Sequence, residues 1–408
     1  MIEKQLKQAK RACLKMQNID SQTKIKALQK ISSNLLSNVD YIINENKKDI
    51  ANAKENGISD AMVDRLLLTK ERIESIARDV LKVADLNDCI GEVIREIRRP
   101  NGLLIKQVRI PIGVVAVVYE SRPNVTVDIA SICIKTNNVC VLKGGKEAIN
   151  SNIALIKVIN EAIEDILPDH VVNLIENNDR QVVTELICAN DYVDVIIPRG
   201  GAGLIQHVVK NATVPVIETG AGICHLYVDS QADLKMAVDI AVNAKISRPS
   251  VCNAIETILV HQDVAGEFLT ALKPQFKQIK VFGDEESLKY IDGTIATEKN
   301  YATEYDDYIC NIKVVKNIDE AIEHIYNYST KHSESIITTN NDIAKYFMES
   351  LDSACVYHNA STRFTDGGEF GFGAEVGIST QKLHARGPIG LPEMTSTKYL
   401  IFGNGQIR

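Results

Sequence analysis

The chain has 408 residues, of which 45% are hydrophobic and 24% are charged, and its formal net charge is −7. A chain of this length exceeds what one hydrophobic core supports, which predicts two or three domains. The negative charge, with lysine and arginine spread rather than clustered, gives no electrostatic reason to expect nucleic acid as a partner.

The cysteine spacing and the N-terminal segment indicate the cellular compartment of the protein. The nine cysteines form no CxxC pair, and no second pair near Cys355 and His358 completes a four-ligand zinc set. We therefore expect neither a disulfide framework nor a bound metal, which is typical of a reducing compartment. The N-terminal segment is a charged helical pattern without the apolar core of a signal peptide, and no apolar run approaches the roughly 20 residues that span a bilayer. The expected location is the cytoplasm, without a membrane partner.

Residues 1 to about 85 are predicted to be helical throughout, because apolar residues recur at helical spacing, as in Ile25, Leu28, Ile31 and Leu35. Residues 91–110 differ, since apolar and charged residues alternate on both sides of Pro100-Asn-Gly102. That pattern predicts a β-hairpin. Its charged outer faces favour an arm that reaches a neighbouring subunit, and a surface hairpin within one subunit is the alternative.

From Gly113 onward, short β-branched strand patterns alternate with helical patterns, which predicts a parallel sheet covered on both faces. The strands predicted in this part are 114–118, 139–142, 171–174, 193–197 and 214–217. The helices predicted between them are 125–136, 148–166, 180–188 and 202–210. After Glu218 the alternation resumes and predicts a second α/β domain. Its predicted strands are 226–228, 254–260, 335–338 and 354–357, with one more strand at 396–402.

Cys252 follows a helical pattern at 234–245 and precedes a strand pattern at 255–260, so it is predicted to lie in a loop where a thiol can reach a ligand. Cysteine thiolate is a strong nucleophile near neutral pH and leaves well from a thioester. A buried structural cysteine is the alternative for this residue type. Upstream, Glu218 is followed by Gly220 and Gly222 at the end of the apolar run 214–217.

Two glycine-rich turns each follow a strand pattern and open a helical one. In Lys143-Gly-Gly-Lys146, backbone N–H groups and two ammonium groups suit a phosphate, in particular the adenosine 2′-phosphate of NADP. A glycine-rich turn with two solvated lysines is the alternative. In the second turn, Gly200 and Gly201 allow a pyrophosphate to approach the backbone, although the run is not the GxGxxG fingerprint.

A third cluster combines glycines with arginines. The run 359–373 contains Arg363 and several glycines, and Arg386 follows in His384-Ala-Arg-Gly387. A flexible cationic loop of this kind suits a substrate carboxylate or phosphate, with solvated loop arginines as the alternative.

Five runs together carry a resemblance that covers nearly the whole chain. They are Tyr119-Glu-Ser-Arg-Pro-Asn-Val-Thr126, Lys143-Gly-Gly-Lys146, Pro198-Arg-Gly-Gly201, Ser250-Val-Cys-Asn-Ala254 and His384-Ala-Arg-Gly-Pro-Ile-Gly-Leu391. The set resembles the aldehyde dehydrogenase superfamily, and most closely its γ-glutamyl phosphate reductase branch.

The resemblance implies an α/β fold with two parallel-sheet domains and a β-hairpin oligomerisation arm. An NADP-binding domain would comprise 1–90 and 111–222, a catalytic domain 223–390, and the arm 91–110 and 391–408. It also implies a homodimer or a dimer of dimers, in which the final strand would extend the sheet of a partner subunit.

Residue roles also follow from the resemblance. Cys252 would be the nucleophile, and Asn124 would donate to the oxyanion beside the backbone N–H of Cys252. Glu218 matches the glutamate that activates water in aldehyde-oxidising relatives. In a reductase, a structural or thiol-activating role for Glu218 is an equal alternative to water activation.

For the cofactor, Lys143 and Lys146 would lie near the adenosine ribose, Gly200 and Gly201 near the pyrophosphate, and Glu304 near the nicotinamide ribose. The candidates for binding the substrate are Arg122, Arg248, Arg363 and Arg386.

The implied reaction is the NADPH-dependent reduction of L-glutamate 5-phosphate to L-glutamate 5-semialdehyde and phosphate through a Cys252 thioester. This is the second step of proline biosynthesis from glutamate, and functional coupling to glutamate 5-kinase is expected. A hydrolytic or CoA-acylating aldehyde dehydrogenase is the nearest alternative. A non-catalytic nucleotide-binding oligomer and a cysteine hydrolase are the alternatives from other classes.

Overall fold

The helical start of the chain is confirmed in the computed structural model, which describes residues 2–408 apart from the side chains of residues 60, 61 and 202. The first helices are α1 (Glu3–Met16), α2 (Ser21–Ser37), α3 (Val39–Glu55), α4 (Asp60–Leu66) and α5 (Lys70–Asp85). Helices α2 and α5 have side-chain N-caps. The Asp20 side chain accepts a hydrogen bond from the N–H of Thr23, and the Thr69 side chain accepts one from the N–H of Arg72. Of the apolar stripe predicted for α2, Leu28, Ile31 and Leu35 are fully buried and Ile25 is half-buried.

The predicted hairpin is also present. Its strands β1 (Val93–Arg98) and β2 (Leu104–Pro111) pair antiparallel. The turn closes through a hydrogen bond of 2.9 Å from the Gly102 N–H to the Arg99 carbonyl. Gly102 takes a φ of +88°, which is why glycine serves at this position.

Four parallel strands follow in the order β5-β4-β3-β6. They are β3 (Val114–Tyr119), β4 (Val139–Gly144), β5 (Val172–Leu174) and β6 (Val195–Arg199). The helices of this region are α6 (Asn124–Lys135), α7 (Ile149–Ile163), α8 (Arg180–Ile187) and α9 (Ala202–Asn211). The chain steps from β3 to β4 to β5 on one side and returns to β6 on the other side of β3.

One predicted strand of this part is wrong. Residues 214–217 run beside β6 but form only a single bridge, between Ile196 and Val216. Pro215 has no N–H to donate, so the ladder cannot continue through it.

A second parallel sheet has seven strands in the order β10-β9-β11-β8-β7-β12-β13. They are β7 (Cys224–Val228), β8 (Ile255–His261), β9 (Lys280–Gly283), β10 (Thr294–Ile295), β11 (Ile309–Val315), β12 (Ser333–Ile337) and β13 (Cys355–His358). Its helices are α10 (Leu234–Ile246), α11 (Ala265–Leu272), α12 (Glu298–Tyr301), α13 (Ile318–Tyr328) and α14 (Asn341–Ser350). Alternate residues of the central strands enter two cores, with Leu226 on the face of α10 and Tyr227 on the face of α13. Both faces are therefore covered, as predicted.

The last strands are short, except the final one. They are β14 (Ile378–Ser379), β15 (Gly387–Pro388) and β16 (Thr395–Phe402). Strand β16 pairs antiparallel with β2, giving a three-stranded sheet in the order β1-β2-β16. Four 3₁₀ helices complete the described elements: Lys146–Ala148, Ser287–Lys289, Thr362–Phe364 and Pro392–Met394.

The chain divides into two compact units. The first consists of residues up to Thr219 together with Gly371–Gly377 and Ile389–Arg408, and the second consists of Gly220–Phe370 and Ile378–Pro388. No helix within residues 2–408 combines the length and the apolar character that crossing a membrane requires. The two parallel sheets confirm the predicted α/β class.

Candidate active site

Cys252 lies in the segment 247–254, here called the cysteine loop, between α10 and β8 of the second unit. Helix α10 is started by Asp233, which accepts from the N–H of Met236 at 3.0 Å. The loop turns through a hydrogen bond of 2.9 Å from the Ala254 N–H to the Val251 carbonyl. Cys252 is half-buried, whereas Cys224 and Cys310 in the neighbouring strands are fully buried. A loop position therefore leaves this thiol partly accessible.

The backbone of Cys252 packs directly against Gly222. A Cβ atom added to Gly222 would lie 1.6 Å from the Cys252 carbonyl oxygen and 2.7 Å from its Cα. Only glycine fits at this position, since real Cβ atoms do not approach so closely. The Cys224 thiol donates to the same carbonyl oxygen at 3.1 Å, and burial raises the pKa of Cys224 well above its usual value. Cys224 is thus a neutral donor that holds the main chain of the cysteine loop at Cys252.

Glu304 is linked to the same turn. Its Oε1 accepts from the N–H of Gly222 at 2.6 Å, and burial raises the pKa of its carboxyl group. Glu304 is therefore hydrogen-bonded to Gly222, the glycine that packs on Cys252, within the second unit. Its predicted role at a ribose stays a prediction.

Asn253 ties the cysteine loop to the segment 362–365. Its side-chain amide donates to the Thr365 carbonyl at 2.9 Å, and Thr362 Oγ1 donates to the Asn253 carbonyl at 2.7 Å. The Arg363 guanidinium donates to the Asn253 side-chain oxygen and, through Nε, to Ser247 Oγ at 3.2 Å. Arg363 therefore bridges the start of the loop and the residue beside the thiol.

The structure groups two of the four predicted substrate arginines with this loop. Burial, and then the nearby positive charge of Arg248, lowers the pKa of Arg363. Cys252 is among the charged neighbours of Arg363, and a positive charge near a thiol favours the thiolate.

Arg386 is engaged differently. Its Nη1 lies 2.9 Å from Asp352 Oδ1, and its Nη2 donates to the Asp352 carbonyl at 2.7 Å. Hydrogen bonds from Lys382 and Arg386 hold the pKa of Asp352 below its usual range. Since Asp352 holds its guanidinium, Arg386 is not grouped with Arg248 and Arg363.

In the first unit, the order β5-β4-β3-β6 places a topological switch point between β3 and β6. Ligands of open parallel sheets bind outside the carboxyl ends of the strands at such a point. Tyr119 at the end of β3 pairs in register with Arg199 at the end of β6. The residues that follow these strands are Glu120 and the Gly200-Gly201 turn, and Lys143 lies near the carboxyl end of β4.

The two lysines predicted to bind the cofactor differ in exposure. Lys143 is 5% exposed, and its ammonium donates to the Gly144 carbonyl at 2.7 Å and to Asn178 Oδ1 at 3.4 Å. Burial lowers its pKa. Lys146 is exposed at the start of a 3₁₀ helix, so of the two it is the one that presents its ammonium to solvent.

The Gly200-Gly201 turn opens α9, with Gly201 as its N-cap. A Cβ atom added to Gly203 in the first turn of this helix would meet no protein atom within 4 Å. Packing therefore does not demand glycine at this position. The N–H of Gly201 itself donates to Glu120 Oε2 at 2.9 Å. Glu120 was not among the predicted site residues, although its position directly after a predicted strand was a usable signal.

Three further predicted residues belong to the first unit. Asn124 begins α6 and donates to Asp128 Oδ2 at 2.9 Å, and burial raises the pKa of Asp128 to about 7. Arg122 lies in the turn before α6, where its carbonyl accepts from Val125 at 3.1 Å. Glu218 follows Ile217, whose N–H donates to Ile196 of β6 at 2.9 Å.

Comparison with known proteins gives one consistent result. The model of the aldehyde dehydrogenase family matches residues 1–313. A protein of Clostridium novyi (strain NT) named γ-glutamyl phosphate reductase is 53% identical over 404 residues, covering 98% of this chain and 97% of that protein.

Two solved structures agree with this. The crystal structure of γ-glutamyl phosphate reductase from Thermotoga maritima has a TM-score of 0.97 and 46% identity, covering 100% of this chain and 99% of that one. An engineered glycolyl-CoA reductase with bound NADP+ has a TM-score of 0.71 at 15% identity, covers 98% of this chain and 96% of that one, and shows the shared fold. The chain therefore belongs to the aldehyde dehydrogenase family and, within it, to the γ-glutamyl phosphate reductases.

Proposed function

We propose that the chain reduces γ-glutamyl phosphate to glutamate 5-semialdehyde with release of phosphate, the second step of proline biosynthesis from glutamate. The observation that carries this proposal is the 53% identity to a protein of that name over 98% of the chain. The half-buried Cys252, with the positive charge of Arg363 near it, supports an anionic acyl substrate.

In the proposed mechanism the Cys252 thiolate attacks the carbonyl carbon of the acyl phosphate. The bond from that carbon to the phosphate oxygen breaks, which leaves a glutamyl thioester on Sγ. A bound nicotinamide cofactor supplies the hydride that reduces the thioester. When the C–S bond of the resulting thiohemiacetal breaks, the semialdehyde leaves and the thiolate is restored.

The residues of the cysteine loop have defined parts in this proposal. Gly222 and Cys224 hold the Cα and the carbonyl of Cys252 in place. The Cys252 N–H would donate to the oxyanion that develops on the substrate, as the family resemblance implies. Arg363 and Arg248 attract the phosphate or the carboxylate of the substrate. Asn124 as an oxyanion donor, Glu218 as a catalytic or structural carboxylate, and Arg122 and Arg386 as substrate ligands stay predictions from the family resemblance.

The family of this chain takes a nicotinamide cofactor, and we propose that it is NADPH. Lys146 supports this choice, because its exposed ammonium follows the carboxyl end of β4 where a NAD-preferring site would place a carboxylate. Lys143, Gly200 and Gly201 would complete the site, and Glu304 would hold the nicotinamide ribose. Residues 1–90 and 111–222 are proposed as the cofactor domain and 223–390 as the catalytic domain.

Assembly is part of the proposal. Residues 91–110 and 391–408 would form an arm of a homodimer or a dimer of dimers, in which β16 extends the sheet of a partner subunit. We also propose a cytoplasmic location. Functional coupling to glutamate 5-kinase is proposed because the acyl phosphate substrate hydrolyses readily in water.

The reverse reaction tests the function. Reduction of NADP by glutamate 5-semialdehyde is expected to depend on inorganic phosphate, because phosphate must cleave the thioester. Cys252→Ala should abolish turnover, a loss of several orders of magnitude, and should leave NADPH binding intact. Cys188→Ala, at an exposed cysteine of the first unit, is the matched control and should keep full activity. Turnover that proceeds with water or CoA in place of phosphate would instead identify a hydrolytic or CoA-acylating enzyme.

A further inference from the structure

Glu120 occupies the place where the first unit is best suited to receive a phosphate. Its carboxylate oxygen Oε2 accepts from the Gly201 N–H at 2.9 Å, and its own N–H donates to the Arg199 carbonyl at 3.0 Å. A Cβ atom added to Gly200 would lie 2.4 Å from the same Oε2. The Glu120 side chain is therefore folded over the Gly-Gly turn at the N-terminus of α9.

A dinucleotide diphosphate would use the same N–H group. The N-terminus of a helix binds anions through N–H groups that lack an intrahelical partner. In the first turn of α9, a Cβ atom on Gly203 would meet no protein atom within 4 Å. A phosphate oxygen at this N–H would lie within a few ångström of the Glu120 carboxylate, and like charges at such a separation repel each other. The diphosphate and the Glu120 carboxylate therefore compete for the start of α9.

We propose that Glu120 is a displaceable occupant of the cofactor site, which holds the Gly200-Gly201 turn in place before the dinucleotide binds and leaves when its diphosphate arrives. This inference rests on the proposed function, because it assumes that the dinucleotide binds at the switch point between β3 and β6. Glu120 thereby sets the affinity for the cofactor, since each binding event includes breaking the bond from Gly201 to the carboxylate. The carboxylate is exposed, so it can turn into solvent without losing a buried position.

The Glu120→Gln variant separates charge from shape. The glutamine side-chain oxygen can still accept from the Gly201 N–H, but the negative charge is gone. Removing one repulsive unit charge a few ångström from a phosphate is expected to tighten NADPH binding about fivefold. Because exposed charges are screened, the difference between the wild type and the variant should shrink as salt is raised from about 0.05 M to about 0.5 M.

NADPH binding is measured by fluorescence titration of the full chain, with inorganic pyrophosphate as a competing probe. Glu164→Gln, which removes an exposed carboxylate after α7, is the matched control and should bind NADPH like the wild type. Tighter binding of both NADPH and pyrophosphate by Glu120→Gln supports the proposal. Equal or weaker binding overturns it and would mean that Glu120 is structural or that it holds a ribose hydroxyl.

A crystal structure of the wild-type chain with NADPH gives a second test that needs no variant. A phosphate oxygen is expected within hydrogen-bond distance of the Gly201 nitrogen, with the Glu120 carboxylate turned away. A carboxylate that stays on Gly201 overturns the inference. If the wild type binds no NADPH at all, the proposed function fails, whereas NADPH binding with Glu120 unmoved contradicts this inference alone.

Discussion

At the scale of single residues, the position of the Cys252 main chain depends on the absence of a side chain at Gly222. Gly222 has no side chain, and the carbonyl of Cys252 fills the space that a methyl group would need. The Cys224 thiol donates to that same carbonyl from a fully buried position. These two contacts hold the Cα and the carbonyl of Cys252 in place, and a nucleophile must be held in a fixed position to react efficiently.

Gly222→Ala is expected to displace this turn, because its Cβ would lie 1.6 Å from the Cys252 carbonyl oxygen. A displacement of about 1 Å at a nucleophile can cost about 100-fold in rate, so kcat should fall by at least that factor while NADPH binding is kept. Steady-state kinetics and NADPH titration measure both effects.

The matched control is Gly266→Ala in α11. There the nearest atoms belong to the ring of Tyr290, which is 40% exposed and can shift, so activity should stay within about twofold. A Gly222→Ala enzyme with normal kcat would show that the turn tolerates the displacement.

At the scale of elements, hydrophobic patterning predicted most strands but missed three in the second sheet, of which β10 has only two residues. Strand β9 has only four residues, and β11 is interrupted by Asn311 and Lys313. Asn311 is nonetheless fully buried, since its amide donates to Thr257 Oγ1 at 3.2 Å and to the Asn300 carbonyl at 3.0 Å. A buried polar residue satisfied by partners far along the chain leaves no periodic signal in the sequence.

Sequence motifs were more informative about the candidate site than about its supporting contacts. The loop position of Cys252 and the glycine turns could be read from the order of strand and helix patterns. The contacts of Asn253 with residues 362–365 could not, because they join segments more than 100 residues apart through the tertiary fold.

His332, the residue directly before β12, makes the stability of the fold sensitive to pH. His332 is fully buried next to Cys224, with its Nδ1 3.7 Å from the Cys224 sulfur, and burial lowers the pKa of His332 to about 4. An unfolded histidine titrates near about 6.5. The pKa of His332 is lower in the folded chain than in the unfolded chain. The contribution of neutral His332 to the free energy of unfolding is therefore fully present above about pH 6.5 and is lost as the pH falls toward about 4.

The free energy of unfolding should therefore fall by about 1.4 kcal/mol per pH unit across this window on account of His332. Urea unfolding at several pH values measures the slope, and His332→Asn should reduce it by that amount. His207→Asn, at an exposed histidine, should leave the slope unchanged. Equal slopes for the wild type and His332→Asn would exclude His332 as a source of acid sensitivity.

At the scale of the whole molecule, the sheet β1-β2-β16 has apolar residues that the chain itself does not cover. Tyr399 is 58% exposed and Ile401 is 61% exposed on one face of β16, while Phe402 on the other face is 51% exposed. Contiguous exposed apolar residues mark interaction surfaces, and a long free edge of a sheet favours pairing with another chain. These residues support the proposed arm.

Ile401→Asp is expected to weaken the assembly, since it places a charge within the proposed interface. Light scattering coupled to size-exclusion chromatography should show a shift toward a smaller species at equal concentration. Leu383→Asp, at a residue that is 82% exposed outside the arm, should leave the molar mass unchanged. An unchanged mass for Ile401→Asp would separate β16 from oligomerisation.

The most direct test of the account is to identify the acyl-enzyme. The wild-type chain would be incubated with glutamate 5-semialdehyde and NADP without phosphate, quenched in acid, digested and mapped by mass spectrometry. The account predicts one glutamyl group, in thioester linkage, on the peptide that carries Cys252, and its disappearance when phosphate is added. A glutamyl group on another residue, or full turnover with none on Cys252, would contradict it.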